Sequence, residues 1–242
     1  MKAIIVNSGR GCRLNSLTSN TPKCLIKVGG TEILGHQLRE LIACGITDII
    51  ITTGPFEDQI KSYVRKNFPK ISITYVRNRK YKETNYIYSL WLTHHLINED
   101  VIFMHGDLLF EKSILSNLLK QEVTSIPLAK NLQLPDKDFK ARVIDGRIAK
   151  IGVDIFGEGA YFCAPIYRIS KEHFLLWMRK ICEFISNGRV SEYAENALNE
   201  LSSEIEMHPL YYNGFCMEID NQEDLKRANN QIYANNRIER KA

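Results

Sequence analysis

Residues 2–30, KAIIVNSGRGCRLNSLTSNTPKCLIKVGG, decide the fold. Lys2–Val6 is a short apolar run rich in β-branched residues and reads as a strand. It passes directly into Asn7-Ser8-Gly9-Arg10-Gly11-Cys12-Arg13-Leu14, where glycines let the backbone approach a phosphate and turn its N–H groups inward. The dinucleotide-binding fingerprint is excluded, because its third glycine would fall at Leu14. A Walker loop is excluded too, since no Gly-Lys-Ser/Thr follows.

Outward from this segment, strands alternate with amphipathic stretches. Glu32–Cys44 reads as a helix, with Ile33, Leu34, Leu38, Leu41 and Ile42 at helical spacing and Gly45 able to close it in a left-handed conformation. Strand Asp48–Thr53, helix Glu57–Asn67, strand Ile71–Val76, helix Asn85–His95 and strand Val101–His105 continue the pattern. The alternation predicts parallel strands covered by helices on both faces, with ligands at the carboxyl ends of the strands. After about Glu122 the rhythm changes to successive strands, Thr124–Ala129, Phe139–Ile144, Arg147–Ile151 and Tyr161–Tyr167, with Asp145-Gly146 marking a hairpin turn. Helices Lys171–Ser186 and Ser191–Leu201, strand Phe215–Ile219 and a last helix from Gln222 complete the chain. With no repeat or low-complexity linker, the chain reads as one domain with two halves, about 1–122 and about 123–242.

Bulk properties fit this picture. In 242 residues, 44% hydrophobic and 25% charged, a core of ordinary size can form without disulfides or a structural metal. The net charge of +4 is dispersed, which suits anionic metabolites and gives no basic stripe for nucleic acid. Six scattered cysteines without a C-x-x-C pair read as reduced, mostly buried thiols. No stretch reaches the roughly 18 apolar residues of a membrane span, so no membrane insertion is expected and the cytoplasm is the default location.

Gly9-x-Gly11-x-Arg13-Leu14, Leu17-Thr18, Pro22-Lys23-Cys24-Leu25 and Val28-Gly29-Gly30 resemble the opening motif of sugar-nucleotide pyrophosphorylases and related nucleotidyltransferases. Ser16 stands where that motif usually has proline, and Val6-Asn7-Ser8 replaces its Leu-Ala-Ala. Thr52-Thr53-Gly54, Thr84–Ser89, His105-Gly106-Asp107, Leu134–Ala141, Tyr193–Ala197 and Glu218-Ile219-Asp220 are similar to cytidylyltransferases acting on phosphonates, 2-aminoethylphosphonate in particular. The Asn85–Leu90 motif is shared with bacterial phosphocholine cytidylyltransferases of surface decoration. The resemblance implies a Rossmann-like three-layer α/β/α nucleotidyltransferase fold, with a mostly parallel mixed sheet and a β-rich acceptor subregion. It also implies a Mg²⁺-dependent transfer from CTP to a small phosphonate, with pyrophosphate released and the product destined for a surface glycan or lipid.

That chemistry assigns roles by charge. Two polyanions must meet, and each like-charge pair about 4 Å apart costs on the order of 4 kcal/mol at an effective dielectric of 20. Arg13, a planar fork, and Lys23, a compact cation, would clamp the triphosphate. By the family's pattern Asp107 and Asp220, each ending a strand, hold the Mg²⁺, and Glu218 would support them from one pleat step away. Asp220 has a second reading, as the N-cap of the helix that follows. His105 reads as a packed strand-end histidine. Asn7, Ser8, Gly9 and Gly11 would contact the phosphates, and Thr53, Gly54, Asn85 and Ser89 would border the cytosine, with Tyr86 and Tyr88 as packing residues. On the acceptor side, Lys140 and Arg142 suit an anionic group and Asp138 or Glu195 an ammonium, Asp138, Lys140 and Arg142 sharing one strand face. Phosphocholine or a sugar 1-phosphate are rival acceptors. Choline would want an aromatic cage, of which only Phe139 is evident, and the lysine that similar sugar-nucleotide enzymes carry near Val153, in the stretch after Ile151-Gly152, is missing here. A catalytically inactive nucleotide-binding regulatory protein is a rival of another class, and a homodimer is left open.

Overall fold

Alternate residues of the central strands leave on opposite faces of a sheet, and here both faces are buried. The computed structural model describes all residues except 10, 12, 13, 15, 16, 131, 132 and 240–242, and the main chain alone for 233–239. In chain order the first half comprises β1 (Lys2–Asn7), the short hairpin β2 (Lys27–Val28) and β3 (Thr31–Glu32), α1 (Ile33–Ala43), β4 (Asp48–Thr53), α2 (Glu57–Asn67), β5 (Ser72–Arg77), α3 (Tyr86–Trp91) and β6 (Val101–His105). The second comprises β7 (Leu108–Phe110), α4 (Lys112–Leu119), β8 (Ser125–Ala129), β9 (Lys140–Ile144), β10 (Arg147–Gly152), β11 (Ala160–Cys163), β12 (Ile166–Ile169), α5 (Lys171–Ser186), α6 (Ala194–Asn199), β13 (His208–Tyr212), β14 (Cys216–Glu218) and α7 (Gln222–Glu239).

The main sheet has ten strands in the order β10-β9-β11-β8-β12-β6-β1-β4-β5, with β13 added alongside β8. β6, β1, β4 and β5 are mutually parallel, and β8, β9 and β13 share their direction. Only β10, β11 and β12 run against them, so the sheet is mixed and mostly parallel. Ala3, Ile5, Ile49, Ile51, Ile102 and Met104 pack under α1, α2 and α4 through Leu34, Leu38, Ile60, Val64, Ile114 and Leu118. The residues between them, Ile4, Ile50, Val101 and Phe103, pack on the other face against Ile87 of α3, Trp177 and Ile181 of α5, and Ala197 of α6. This is the three-layer α/β/α arrangement, its parity set by the strand period of two.

Local signals hold where expected. Gly45 follows α1 with φ 82°, and Asp145 (φ 49°) with Gly146 (φ 77°) makes the two-residue turn between β9 and β10. The differences have physical causes. The strand expected over Tyr161–Tyr167 is two, because Pro165 has no N–H to donate; β11 lies between β8 and β9, and β12 between β8 and β6. The helix expected over Asn85–His95 stops at Trp91, before Thr93, whose buried hydroxyl donates to the Leu90 carbonyl (2.7 Å), and a 3₁₀ turn follows at His94–Leu96. The Ser191–Leu201 helix is reduced to α6. β14 lies outside the main sheet, in a separate antiparallel ribbon with β7.

Candidate active site

The carboxyl ends of β1, β4 and β6 meet around the glycine loop. The Asn7 amide (3.1 Å) and the Ser8 hydroxyl (2.9 Å) both donate to the Thr52 hydroxyl on β4. Gly54 and Gly106, just beyond β4 and β6, are required by contact. A Cβ on Gly54 would collide with the Ser8 carbonyl, and one on Gly106 with the Asn7 side chain and, at 2.7 Å, the Val6 carbonyl. Gly11 has φ 66°, and a Cβ there would stand 3.0 Å from the Lys23 Cβ. Asn7, Ser8, Gly9, Gly11 and Lys23 thus border one cavity of about 410 Å³. Arg13 lies outside the described residues.

At the floor of this cavity the Lys23 ammonium sits between two carboxylates, 2.5 Å from Asp107 Oδ2 and 2.5 Å from Asp220 Oδ1. The β7–β14 ribbon creates this meeting. It pairs Leu108 with Glu218, and the Ile219 amide donates to the Asp107 carbonyl (3.0 Å), so residues 113 apart in sequence start from one register. The capping reading of Asp220 gives way, because Asn221 accepts from the Glu223 and Asp224 amides and caps α7. Burial works against the charge on Lys23, but Asp107 and Asp220 outweigh it and raise its pKa. Burial likewise opposes the charge of Asp107, whose carboxyl is nevertheless held below its ordinary range by Lys23.

Beneath the floor lies a buried polar network. His105 Nδ1 pairs with Glu218 Oε1 at 3.0 Å, and Glu195, fully buried, accepts from the hydroxyls of Tyr86 and Tyr167. Burial disfavours the imidazolium, yet the bond to Glu218 lifts His105 to about 9. Burial pushes Glu218 upward. At the floor itself two carboxylates, Asp107 and Asp220, face the single ammonium of Lys23, an arrangement that suits a divalent ion. Two donor sets share Asp107: the pair Asp107 and Asp220, and a cluster of His105, Asp107 and Glu218 whose ligating atoms lie within 4.8 Å of one another. The pair fits Mg²⁺. It offers hard oxygens converging on one point, and Asp107 Oδ1 is buried without a partner, whereas His105 Nδ1 is already taken up by Glu218.

One flank of the cavity is lined by Asn78, Tyr81, Thr84, Asn85 and Ser89. Asn85 caps α3 through the Tyr86 amide (2.7 Å), and Ser89 accepts from buried Asn78 (2.9 Å). Asn78 and Tyr81 escape the motif-based reading, and Thr84 lies within a motif that gave it no role. Their signal is position, just past the carboxyl end of β5. Thr53 and Gly54 stand one layer back, the Thr53 hydroxyl donating to Glu57 Oε2 (2.6 Å).

A second flank, joined to the first where Asn85 donates to the Ser191 carbonyl and Tyr86 meets Tyr193, corrects the acceptor expectation. Lys137, Phe139, Val153 and Tyr193 line it, while Asp138, Lys140, Arg142 and Glu195 do not. Phe139 lines the cavity, and Lys140 and Arg142, of the other parity, have their polar ends elsewhere. Lys140 is fully buried and donates to the carbonyls of Pro135 (2.7 Å) and Asp136 (3.2 Å), and Arg142 donates to the carbonyls of Phe156 (2.6 Å) and Glu158. Asp138 is half-buried beside Asp220 and Asp224, its carboxyl raised first by burial and then by those charges. Phe139 meets Tyr193 edge-on at 5.1 Å and His105 at 5.7 Å, and Tyr86 meets His105 at 4.7 Å. The flank is aromatic, more so than Phe139 alone suggested.

Comparison with known proteins agrees with this fold. Residues 2–126 match a family described as nucleotidyl transferase. The chain is 29% identical over 118 residues, 49% of its length and 19% of the relative's, to a CMP-5'-(3-aminopropyl)phosphonate synthase of Streptomyces rubellomurinus. It is 32% identical over 126 residues, 52% of its length and 53% of the relative's, to a choline-phosphate cytidylyltransferase of Streptococcus pneumoniae. The chain spans about half the length, or less, of these curated relatives. The structure of a CTP:phosphocholine cytidylyltransferase from Streptococcus pneumoniae superposes with TM-score 0.82 at 24% identity, covering 96% of this chain and 98% of the other, a shared fold.

Proposed function

Because the chain belongs to the nucleotidyl transferase family, we propose that it is a cytidylyltransferase that joins the CMP unit of CTP to a small phosphonate bearing an amine, 2-aminoethylphosphonate being the preferred acceptor. One observation carries this reading: Lys23, Asp107 and Asp220 converge at the floor of a cavity bordered by the Asn7–Gly11 loop on one side and an aromatic flank on the other. The loop supplies main-chain donors for the triphosphate, and Lys23, with Arg13 by resemblance, supplies the cations. Asp107 and Asp220 would hold a Mg²⁺ ion, which when bound neutralises phosphate oxygens and raises the electrophilicity of the α-phosphorus.

The acceptor needs no base from the protein. With a second pKa near about 6, like that of a phosphate, a phosphonate is largely dianionic at neutral pH. Its oxygen attacks the α-phosphorus in line, a new P–O–P linkage forms, and the bond to the β-phosphate oxygen breaks with its electron pair leaving on pyrophosphate. The chain's residues hold the two reactants together and balance their charge, which is where most of such a rate arises.

An ammonium group on the acceptor matches the flank, where the rings of Tyr86, Phe139 and Tyr193 stand near the carboxylates of Glu218 and Asp220. The same rings favour a second reading, phosphocholine as acceptor, whose quaternary ammonium takes aromatic faces well. Pyrophosphate release measured with each nucleoside triphosphate against 2-aminoethylphosphonate, phosphocholine and a sugar 1-phosphate tests both. Turnover only with the sugar phosphate, or with none of them, refutes the proposal.

A further inference from the structure

Lys140 is a buried cation with no catalytic partner. Its ammonium donates to two main-chain carbonyls, Pro135 (2.7 Å) and Asp136 (3.2 Å), and lies 4.2 Å from the centre of the Phe156 ring. Burying a charge is costly unless its donors are used, so these contacts bind the segment before β9 firmly to the sheet. The segment so held presents Lys137 and Phe139 to the cavity, with Asp138 between them half-buried beside Asp220 and Asp224. Among the described residues, Lys23 and Lys137 are the lysines that line the cavity, and Lys23 is engaged by Asp107 and Asp220. The exposed Lys137 is thus placed to meet a second anion at the cavity wall it shares with Phe139.

We infer that Lys137 binds the phosphorus-bearing anion of the acceptor, and that Lys140 is a positioning residue whose ammonium clasps the carbonyls of Pro135 and Asp136 to hold Lys137 over the cavity. This rests on the proposed transfer to a small phosphorus acid, and it assigns to Lys137 the role that charge alone suggested for Lys140. An anion there would face Lys137 from above and the Lys23 floor from below, so two lysines would divide the two substrates. Burial lowers the Lys140 pKa, and the two carbonyls and the Phe156 ring are the contacts that offset that cost.

The test compares wild type with Lys137→Ala, Lys137→Arg, Lys140→Met and the double variant Lys137→Ala/Lys140→Met. In steady state, Lys137→Ala raises the acceptor KM at least tenfold and moves the KM for CTP less than twofold, and Lys137→Arg recovers most of the loss. Lys140→Met raises the acceptor KM in the same direction, and the double variant stays within about twofold of Lys137→Ala, because the clasp acts through the residue already removed. Amide hydrogen exchange over 133–139 gives a readout independent of turnover. Lys140→Met speeds exchange there at least tenfold, and methylphosphonate with CMP present slows it in wild type but not in Lys137→Ala. An unchanged acceptor KM in Lys137→Ala, or methylphosphonate protection retained in that variant, overturns the anion site. Unchanged exchange in Lys140→Met, or single effects that multiply in the double variant, overturns the clasp. Should wild type turn over no phosphorus acid, the proposed function fails, and the exchange data alone decide this inference. Because Lys137 is exposed, its variants test the anion site even if Lys140→Met does not fold.

Discussion

Replacing Lys23 with methionine keeps the length of the side chain and removes the one cation between Asp107 and Asp220. Both carboxylate oxygens lie 2.5 Å from the same nitrogen, so they stand at most about 5 Å apart. Without the ammonium, two such charges repel by about 3 kcal/mol at an effective dielectric of 20. Breaking a buried pair by removing one partner costs about 3–5 kcal/mol, which agrees. With a urea m-value of about 2–3 kcal/mol/M for a chain of this size, the midpoint should fall by about 1–1.5 M at pH 7. The pH dependence has a definite sign. In wild type Asp107 is held below its ordinary range by Lys23, so its contribution is present above the unfolded pKa of about 3.9 and is lost as pH falls through the folded value. In the variant the facing carboxylates take up a proton at higher pH, which relieves their repulsion. The gap between the two proteins is therefore full at pH 7 and shrinks toward pH 4. Added Mg²⁺ should also raise the variant's midpoint more than the wild type's, since a cation restores what the ammonium supplied. Urea titrations at pH 7, 5.5 and 4, with and without Mg²⁺, measure this. Equal midpoints at pH 7, or a gap that persists undiminished at pH 4, would refute the reasoning.

Other outcomes follow from the same geometry. Asp107→Asn should lower kcat about a thousandfold or more in a protein that still folds, its urea midpoint falling less than that of the Lys23 variant because Asp220 still pairs with Lys23, and EDTA should abolish wild-type turnover until Mg²⁺ is restored; full activity in either case removes the metal role. Gly106→Ala should lower the melting temperature and raise the KM for CTP at least tenfold, because its Cβ would collide with Asn7, whereas Gly9→Ala should leave the melting temperature alone, nothing lying within 4 Å of the added atom. CTP should be preferred to UTP by about a hundredfold or more in kcat/KM, since a site that accepts a hydrogen bond from the cytosine amine is left unpaired by uracil; equal values contradict this.

The nucleotide half of the fold was legible because its signals are local. Short β-branched runs at β1, β4 and β6 and the apolar spacing of α1 each declare themselves within a dozen residues. β13 was hidden by Pro209, acceptable there because the strand pairs with β8 alone, and α4 carried its signal in Ile114, Leu115 and Leu118 but lay between stronger patterns. Asp107, Asp220 and Lys23 could be named from motifs, yet the β7–β14 ribbon that joins Asp107 to Asp220 is a long-range pairing that no local pattern encodes. The acceptor flank was misread for a related reason. Period-two logic placed Asp138, Lys140 and Arg142 on one face, but whether that face or that of Phe139 looks into the cavity depends on how β9 packs on β11.

The central claim, nucleotidyl transfer to a small phosphorus acid at the Lys23–Asp107–Asp220 floor, is tested most directly by ³¹P NMR of the protein with CTP, Mg²⁺ and 2-aminoethylphosphonate. The account predicts that the acceptor resonance is replaced by a coupled phosphonate–phosphate pair as pyrophosphate accumulates in equal amount, and that Asp107→Asn shows neither. Intact CTP and acceptor after prolonged incubation of wild type, or pyrophosphate released without the coupled pair, would contradict it.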